Sequence, residues 1–246
     1  MITEKDLLAD MHTHTIFSLH AHSTVKENAL VAKAKGYKYI GITDHFIGYK
    51  DSINRSNQVA RLTTLSMCNN DDCVLIPSFE FNVGQDIYDK RAYNKTKWKP
   101  IGLHRNFLEE EIKSIDELYQ KYVIYANSFN CFIHIERDLD FYLSDEEKKN
   151  SENIINDFLI KICKLAKDNN IYLELNELSF RKGYYDRIKY WLTFAKENGN
   201  LISLGSDAHY CDDVGDFKYS IDLINEIDFP INRILNCDEE KIKEFI

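Results

Sequence analysis

Short apolar runs rich in β-branched residues alternate with longer segments of helical periodicity along the chain. In one such segment the apolar residues from Ile154 to Leu165 recur at helical spacing, which predicts a helix with one buried face. Gly36 and Gly199 stand where two of these helices should stop. The apolar runs predict seven strands, at residues 6–11, 39–43, 74–79, 100–103, 131–135, 171–175 and 201–204.

Repeated strand and helix units favour an α/β fold with parallel strands, built either as an open doubly wound sheet or as a closed barrel. No Gly-x-Gly-x-x-Gly follows the first strand, so the sequence lacks the dinucleotide-binding fingerprint. With nine glycines and three prolines there is no long linker, and we expect one domain over residues 1–246. Residues 81–99 predict a loop insertion, in which Tyr88, Tyr93 and Trp98 form either a lid over the substrate or a hydrophobic cover for the barrel.

Composition narrows the class of protein. The 246 residues are 44% hydrophobic and 29% charged, as in ordinary globular domains. A net charge of −9 disfavours nucleic acid and anionic membranes as partners. The six cysteines contain no Cys-x-x-Cys pair, which is typical of a reducing compartment. The sequence has no signal-like or membrane-spanning apolar stretch, so we expect a soluble cytoplasmic protein, and its oligomeric state stays open.

The placement of the eight histidines carries the most information about function. His12 and His14 are two residues apart on a predicted strand, so both side chains can point to the same side and hold one metal ion. Taken alone, this pair is equally typical of two structural histidines. The remaining candidates change that balance, because they follow the ends of other predicted strands: His45, Glu80, His104, His134, Asp207 and His209.

The carboxyl ends of parallel strands are where α/β barrels assemble their active sites. Histidine and carboxylate ligands without a thiolate suit zinc, manganese or iron. A catalytic zinc takes about three protein ligands, so this set indicates two or three ions. Such a cluster lowers the pKa of a bridging water and stabilises anionic oxygens, which predicts phosphoester hydrolysis by a metal-activated hydroxide. The candidates, with His20 included, are His12, His14, His20, His45, Glu80, His104, His134, Asp207 and His209.

At these residues the sequence resembles the PHP family, named for polymerases and histidinol phosphatases. The motifs occur in the family's order over nearly the whole chain: DMHTHTIFSLHAHST, ITDH, SFE, GLH, FIHIE, LELNELSFRKG and LGSDAH. The spacing and the tail FPINRILN are most similar to the YcdX-like phosphatases, with histidinol phosphatases next. The resemblance implies a distorted (β/α)7 TIM-like barrel with parallel strands and a trinuclear metal site for phosphoester hydrolysis.

The resemblance also implies which residues share an ion. One ion would take His12, His14, Glu80 and Asp207; a second would share Glu80 and take His104 and His134; a third would take His20, His45 and His209. Zinc is the first expectation for the three divalent ions, with manganese or iron as alternatives. Asp207 would be a ligand. Whether Asp207 also passes a proton to the leaving group stays open, with both alternatives weighted equally.

The resemblance is incomplete at two positions. Ile135 follows His134 where the family usually has proline, so the loop after the fifth strand is expected to take another course. His22 stands where a tyrosine is common, and is expected to pack or to contact phosphate. Asp10, just before the first motif, is expected to orient an imidazole rather than to bind metal.

Candidate substrate contacts follow two of the motifs. Arg181 and Lys182 stand where histidinol phosphatases have an arginine at the phosphate, and Arg105 follows His104. A guanidinium can bind phosphate with two hydrogen bonds, and an ammonium acts as a point charge. Each is equally typical of a solvated surface charge. A pocket for histidinol would need an acid, for example near Glu177 or Asp186, although both are also ordinary surface residues.

The sequence therefore predicts a metal-dependent phosphoric monoester hydrolase acting on a small phosphorylated metabolite, with histidinol phosphate as one candidate. The alternative is a phosphodiesterase or exonuclease of the same family acting on nucleotides or nucleic-acid ends. It ranks second because the sequence has no basic stripe that could follow a nucleic-acid backbone. A non-catalytic barrel with a decayed site is disfavoured because all nine ligand positions carry suitable residues.

Overall fold

The computed structural model describes residues 1–18, 20–46, 61–65, 73–84, 90–105 and 111–246. Its strands are β1 (Ala9–Thr13), β2 (Tyr39–Ile42), β3 (Val74–Pro77), β4 (Phe81–Asn82), β5 (Pro100–Gly102), β6 (Cys131–Phe132), β7 (Tyr172–Asn176) and β8 (Ile202–Gly205). Its helices are α1 (Val25–Ala34), α2 (Lys90–Lys95), α3 (Ile115–Tyr125), α4 (Ser151–Asp168), α5 (Glu177–Arg181), α6 (Tyr185–Asn198), α7 (Lys218–Glu226) and α8 (Glu239–Lys243). Residues 61–65 are also helical.

The strands form two parallel sheets, with the orders β1-β2-β3 and β4-β5-β6-β7-β8. Hydrogen bonds join the sheets at both seams. Between β1 and the end of β8, the Asp207 N–H donates to the His12 carbonyl at 2.9 Å. Between the segment after β2 and the residue just before β4, the Phe46 N–H donates to the Glu80 carbonyl at 2.8 Å. The result is the expected fold class, an α/β structure with the arrangement of a distorted TIM-like barrel.

Several predicted strand boundaries differ from the structure. The third predicted strand, residues 74–79, ends at Pro77, which has no N–H to donate to a continuing ladder, and β4 follows as a separate short strand that was not predicted. The first strand starts at Ala9 instead of residue 6, because Thr3 and Asp6 close a capping box around a short 3-10 turn.

Local sequence signals set the helices. Thr24 accepts from the Glu27 N–H, and the Glu27 carboxylate accepts from the Thr24 N–H at 2.7 Å, so a capping box starts α1. The predicted apolar stripe lies in α4, with Ile155, Leu159 and Ile162 fully buried. α6 ends at Gly199 with φ 79°, a left-handed conformation that glycine adopts without strain. The predicted terminal helix is present as the short α8.

The amino-terminal end of the strands is filled by an apolar cluster. Trp98 lies in this cluster, 1% exposed, with its indole N–H donating to the Met11 carbonyl at 3.1 Å. Its ring packs against Tyr172 and Phe245. Because this end is opposite the predicted site, the expectation of a Trp98 lid is wrong, and the alternative of a hydrophobic cover is the one observed.

Tyr93 is also not part of a lid. Its hydroxyl donates to the Ser128 carbonyl, and its ring packs edge-on against Phe81 and Phe129. Tyr88 lies outside the described residues. Among the residues the structure covers, no helix combines the length and apolar character needed to cross a bilayer.

Removing the Trp98 side chain tests the assignment of this residue to the core. We expect Trp98→Ala to lower the free energy of unfolding by about 3–5 kcal/mol, because it leaves a large cavity among buried side chains. Metal content per folded chain should not change. Chemical denaturation gives the stability, and elemental analysis of the folded fraction gives the metal content. Phe17→Ala, at a ring that is 53% exposed, is the control; a stable Trp98→Ala protein would contradict the assignment.

Candidate metal centre

The predicted ligands meet at the carboxyl ends of the strands. His12 lies on β1, with His14 just beyond its end, and their side chains are buried with the two Nε2 atoms 3.0 Å apart. The His14 carbonyl accepts from the Asn28 amide of α1 at 2.8 Å, which holds the chain as it leaves the strand. Asp207, after β8, brings its Oδ1 to 3.2 Å from His14 Nε2 and 3.6 Å from His12 Nε2.

Glu80 is the residue that most of these side chains share. It lies between β3 and β4, is 2% exposed, and presents its two oxygens to different histidines. Glu80 Oε1 lies 2.8 Å from His134 Nε2 and 3.1 Å from His104 Nε2. Glu80 Oε2 lies nearest His45 Nδ1, at 2.8 Å, and is also within 4 Å of His12 and His14. One carboxylate therefore contacts imidazoles from four strand ends.

The remaining histidines form the outer part of the cluster. His209 Nε2 lies 2.8 Å from His20 Nε2, and His45 Nε2 lies 3.4 Å from the same atom. His45 thus faces Glu80 with one ring nitrogen and His20 with the other. In the part of the chain that the structure describes, three groups have ligand atoms within 4.8 Å of one another: His12, His14 and Glu80; His45, Glu80 and His104; and His14, His45 and His209.

Hydrogen bonds indicate which ring nitrogens are free to bind a cation. His12 Nδ1 lies 2.7 Å from a Glu174 oxygen, so this nitrogen carries the proton. His14 Nδ1 lies 2.9 Å from Ser18 Oγ, and the Ser18 hydroxyl donates its own proton to Asp44. Ser18 Oγ therefore accepts from His14, so Nδ1 of His14 carries the proton. When both rings are neutral, as metal-binding imidazoles are, the Nε2 atoms of His12 and His14 therefore face each other as lone pairs.

These two lone pairs meet the carboxylate oxygens of Glu80 and Asp207, also acceptors, in a buried space. Four acceptors with no hydrogen between them repel one another unless a cation lies among them. The Oε2 atom of Glu80 is buried and makes no hydrogen bond of good geometry, even with His45 Nδ1 2.8 Å away, which agrees with this. The donor set, of imidazole nitrogens and carboxylate oxygens, fits a borderline divalent metal.

The electrostatics of the cluster keep its acids ionised. Burial raises the pKa of Glu80, but its interactions with the facing imidazoles of His104, His45 and His12 outweigh it and hold the pKa well below its usual range. Burial also raises the pKa of Asp207, and here His12 and Arg137 reverse the effect, leaving a pKa well below the usual one. Burial and then the Arg137 charge lower the pKa of His134 to about 3, so this imidazole stays neutral.

Arg137 is a buried residue that the sequence patterns did not single out. Its guanidinium donates to Asp207 Oδ2 at 2.9 Å, to Ser179 Oγ at 2.7 Å and to the Asn176 side-chain carbonyl. Asp207 therefore turns Oδ1 toward the imidazoles and keeps Oδ2 on Arg137. A held, strongly acidic carboxylate favours Asp207 as a ligand over Asp207 as a proton donor.

Glu174 is the second residue that sequence reasoning missed. A signal existed: Glu174 and Asn176 alternate with leucines on β7, so both face the interior on a strand whose other positions are apolar. Asp10, which was expected to orient an imidazole, instead accepts the backbone N–H groups of His12, Ser206 and Gly215. It thus fixes backbone at the β1–β8 seam, and Glu174 is the acid that contacts an imidazole.

Backbone geometry also brings the ligands together. His134 and Asp207 have φ values of 32° and 56°, in the left-handed region that non-glycine residues seldom adopt. His134 leaves β6 in this conformation, which ends the strand at Phe132 and not at the predicted residue 135. The turn is closed by the Arg137 N–H, which donates to the His134 carbonyl at 3.1 Å, and Ile135 is buried in the core. This turn carries Arg137 toward Asp207.

Arg181 was expected to contact phosphate at the cluster, but its side chain has other partners. Its guanidinium makes two ion pairs, with Asp213 and Asp216, both at 2.7 Å. Glu177, considered as a contact for an ammonium group, accepts from the backbone N–H groups of Tyr219 and Ser220 and so caps α7. Both residues therefore have structural partners, and neither contacts the nine candidate ligands in the structure.

The side chains of the other substrate candidates, Lys182, Arg105, His22 and Asp186, are exposed. Desolvation and then the Arg137 charge lower the pKa of Lys182, while the carboxylates of Asp207 and Glu80 act in the opposite direction. Lys182 therefore interacts electrostatically with charged groups of the centre. The Arg105 guanidinium stacks on the exposed Phe141 ring, 3.4 Å from its centroid. The His22 side chain is exposed rather than packed, and its backbone N–H donates to the His209 carbonyl at 2.8 Å. Asp186 is exposed on α6.

Comparison with known proteins gives a consistent result. A family model described as the PHP domain matches residues 10–178. The chain is 29% identical to a protein named "Probable phosphatase" from Shewanella loihica, over 97% of this chain and 93% of that protein. It is 26% identical to a similarly named protein from Clostridium acetobutylicum, over 97% of this chain and 94% of that protein.

A solved structure shares the fold. Histidinol phosphate phosphatase from Lactococcus lactis, determined with zinc, L-histidinol and phosphate, aligns with a TM-score of 0.54 and 18% identity. The alignment covers 90% of this chain and 94% of the Lactococcus protein. At this level of identity the likeness concerns the fold.

Glu80→Gln tests whether one carboxylate serves several metal positions. The amide keeps the shape but loses the charge, so we expect metal affinity to fall by about 100-fold or more, beyond the effect usual for a supporting group. His104→Ala, which touches one oxygen of Glu80, should remove less metal. Elemental analysis after dialysis against a weak chelator measures both. Equal metal content in the two variants would contradict the shared role of Glu80.

Proposed function

Because the chain belongs to the PHP domain family, we propose that it is a metal-dependent phosphoric monoester hydrolase acting on a small phosphorylated metabolite. One observation carries the proposal: the buried Glu80 carboxylate contacts imidazoles from four strand ends, beside a second carboxylate held by Arg137. An array of imidazoles and acids at this end of a barrel is suited to clustered divalent ions.

The proposed centre holds three ions. His12, His14, Glu80 and Asp207 would hold the first; Glu80, His104 and His134 the second; and His20, His45 and His209 the third. The short contacts within each group support this division. His45 also approaches Glu80, so it would link the second and third positions. Zinc is the first candidate, with manganese or iron as alternatives for the same donors.

The bound ions would supply a nucleophile of lowered pKa and Lewis-acid stabilisation of the phosphoryl oxygens. The chain's own residues would orient the substrate. Arg137 keeps the Asp207 carboxylate fixed and adds a positive charge beside it, and the exposed Lys182 would add a second positive charge for the substrate. Arg105, held by stacking on Phe141, is a further candidate for contact with the anionic substrate. His22, exposed beside the backbone of His209, is the weakest of these candidates.

Histidinol phosphate is the first substrate to test, since the Lactococcus protein of the same fold was determined with L-histidinol and phosphate. Glu177, one of the acids considered for an ammonium pocket, instead caps a helix. Small phosphorylated sugars and amino alcohols therefore belong in the same panel. Cleavage of a bis-ester in place of monoesters would support the phosphodiesterase alternative.

Phosphate release from this panel tests the proposal directly. Protein loaded separately with zinc, manganese or iron is assayed with histidinol phosphate, p-nitrophenyl phosphate, sugar phosphates and a bis-ester. We expect monoester hydrolysis that chelation abolishes and that His45→Ala reduces by about 100-fold or more, since the variant removes a metal ligand. Fully metallated protein that releases phosphate from none of these esters would overturn the proposal.

Lys182→Met and Arg181→Met form a matched pair for substrate binding. Loss of a charge-assisted contact with phosphate costs about 1.5–3 kcal/mol, so we expect Lys182→Met to lower kcat/KM by about 10–100-fold. Arg181→Met should leave kcat/KM within about 2-fold, because its guanidinium is paired with Asp213 and Asp216. Steady-state kinetics decides between them, and the reverse ranking would restore Arg181 as the phosphate contact.

A further inference from the structure

We propose that Glu174 is the positioning residue that fixes the tautomer of His12 and makes the metal position at His12 the tightest in the centre. The proposal rests on the metal centre of the proposed function and assigns a difference among its positions. It concerns metal affinity, which can be measured without any substrate.

The contact between the two residues is short and fully buried. His12 Nδ1 lies 2.7 Å from Glu174 Oε1, and the side chains are 1% and 2% exposed. Nδ1 is on the opposite side of the ring from Nε2, which faces His14, Glu80 and Asp207. Glu174 therefore supports His12 from behind and is not itself one of the converging ligands.

The sheet makes room for this contact at one glycine. β8 lies between β1 and β7, so the side chains of His12 and Glu174 must meet across it. The β8 residue at that point is Gly205, where a Cβ would overlap the Glu174 carboxylate and lie 2.6 Å from the His12 Cβ. Any larger residue would push the pair apart.

His12 differs from the other ligand candidates in the charge of its supporting group. His14 is supported by the Ser18 hydroxyl, His104 by the Asn82 amide and His209 by a backbone carbonyl. Among the nine candidates, and within the described parts of the chain, His12 is the one that pairs with a carboxylate outside the ligand set. An imidazole whose N–H is bound to a carboxylate is the more basic donor toward a metal.

The second oxygen of Glu174 is held as well. Glu174 Oε2 accepts from the Asn176 Nδ2 at 2.8 Å, and the same amide group lies 3.4 Å from Asp207 Oδ2. The Asn176 carbonyl is occupied by Arg137 and by the Ser179 N–H, which fixes the orientation of the amide. Asn176 therefore connects the supports of two ligands of the same ion, His12 and Asp207.

Glu174→Gln is the direct test. The amide keeps the size of the side chain but removes its charge, and its NH2 group must oppose either the His12 N–H or the Asn176 NH2. Zinc affinity is measured by competition with chelators of known strength, together with the number of zinc ions bound per chain. We expect the tightest zinc to bind about 10–100-fold more weakly, with the weaker positions unchanged.

Two further variants separate positioning from general damage to the fold. Gly205→Ala leaves the carboxylate intact but forces it away from His12, and should weaken the same zinc position. Glu177→Gln alters a buried carboxylate that caps α7 and touches none of the ligands, and should leave every zinc affinity unchanged. Circular dichroism checks that each variant is folded.

Nitrogen-15 NMR of the histidine rings in the zinc-loaded protein provides a readout that a merely structural role would not move. We expect His12 to be Nδ1-protonated in the wild type, with its Nδ1 proton signal shifted in Glu174→Gln. Unchanged zinc affinity in Glu174→Gln, or equal weakening of all positions, would overturn the proposal. A wild type that binds zinc but hydrolyses no ester would count against the proposed function alone.

Discussion

The buried Glu80 carboxylate is the constraint on which the rest of the site depends. A carboxylate removed from water is strongly disfavoured unless cationic or hydrogen-bonding groups surround it. Here the surrounding groups are imidazoles contributed by different strands, and their ring nitrogens approach both oxygens. The strand ends must therefore converge on one point, and a parallel arrangement of strands brings all their carboxyl ends to the same edge.

The two ends of the strands are specialised in opposite ways. At the amino-terminal end, Trp98 and its aromatic neighbours fill the interior with apolar side chains. At the carboxyl end the interior is filled with imidazoles and acids, and in the described part of the chain Glu80 Oε2 and His134 Nδ1 are buried there without a hydrogen-bond partner. Stability comes chiefly from burial of apolar surface, so the packed end can support a polar end whose acceptors oppose one another. The left-handed backbone of His134 and Asp207 belongs to the same polar end.

The acids near the centre have three distinct tasks. Asp10 and Glu177 accept backbone N–H groups and hold a seam and a helix in place. Asp44 and Glu174 act on imidazoles, the first through Ser18 and the second directly. Glu80 and Asp207 present oxygens to the converging nitrogens. All six are buried, so burial alone does not distinguish them, and the partner of each oxygen decides its task.

The sequence by itself determined the α/β class and the set of candidate ligands, because both follow from local patterns. The His-x-His spacing and the acids and histidines at strand ends are read within a few residues of each strand. Only the tertiary structure decided which side chains meet across strands: Glu174 reaches His12 over a distance of 162 residues in sequence, through space left at Gly205. It also distinguished Arg181 from Lys182, which are adjacent at the end of α5. Arg181 pairs with surface acids, whereas Lys182 interacts electrostatically with charged groups of the centre. Such contacts depend on strand register and on the space between side chains, which residue patterns along a single strand do not encode.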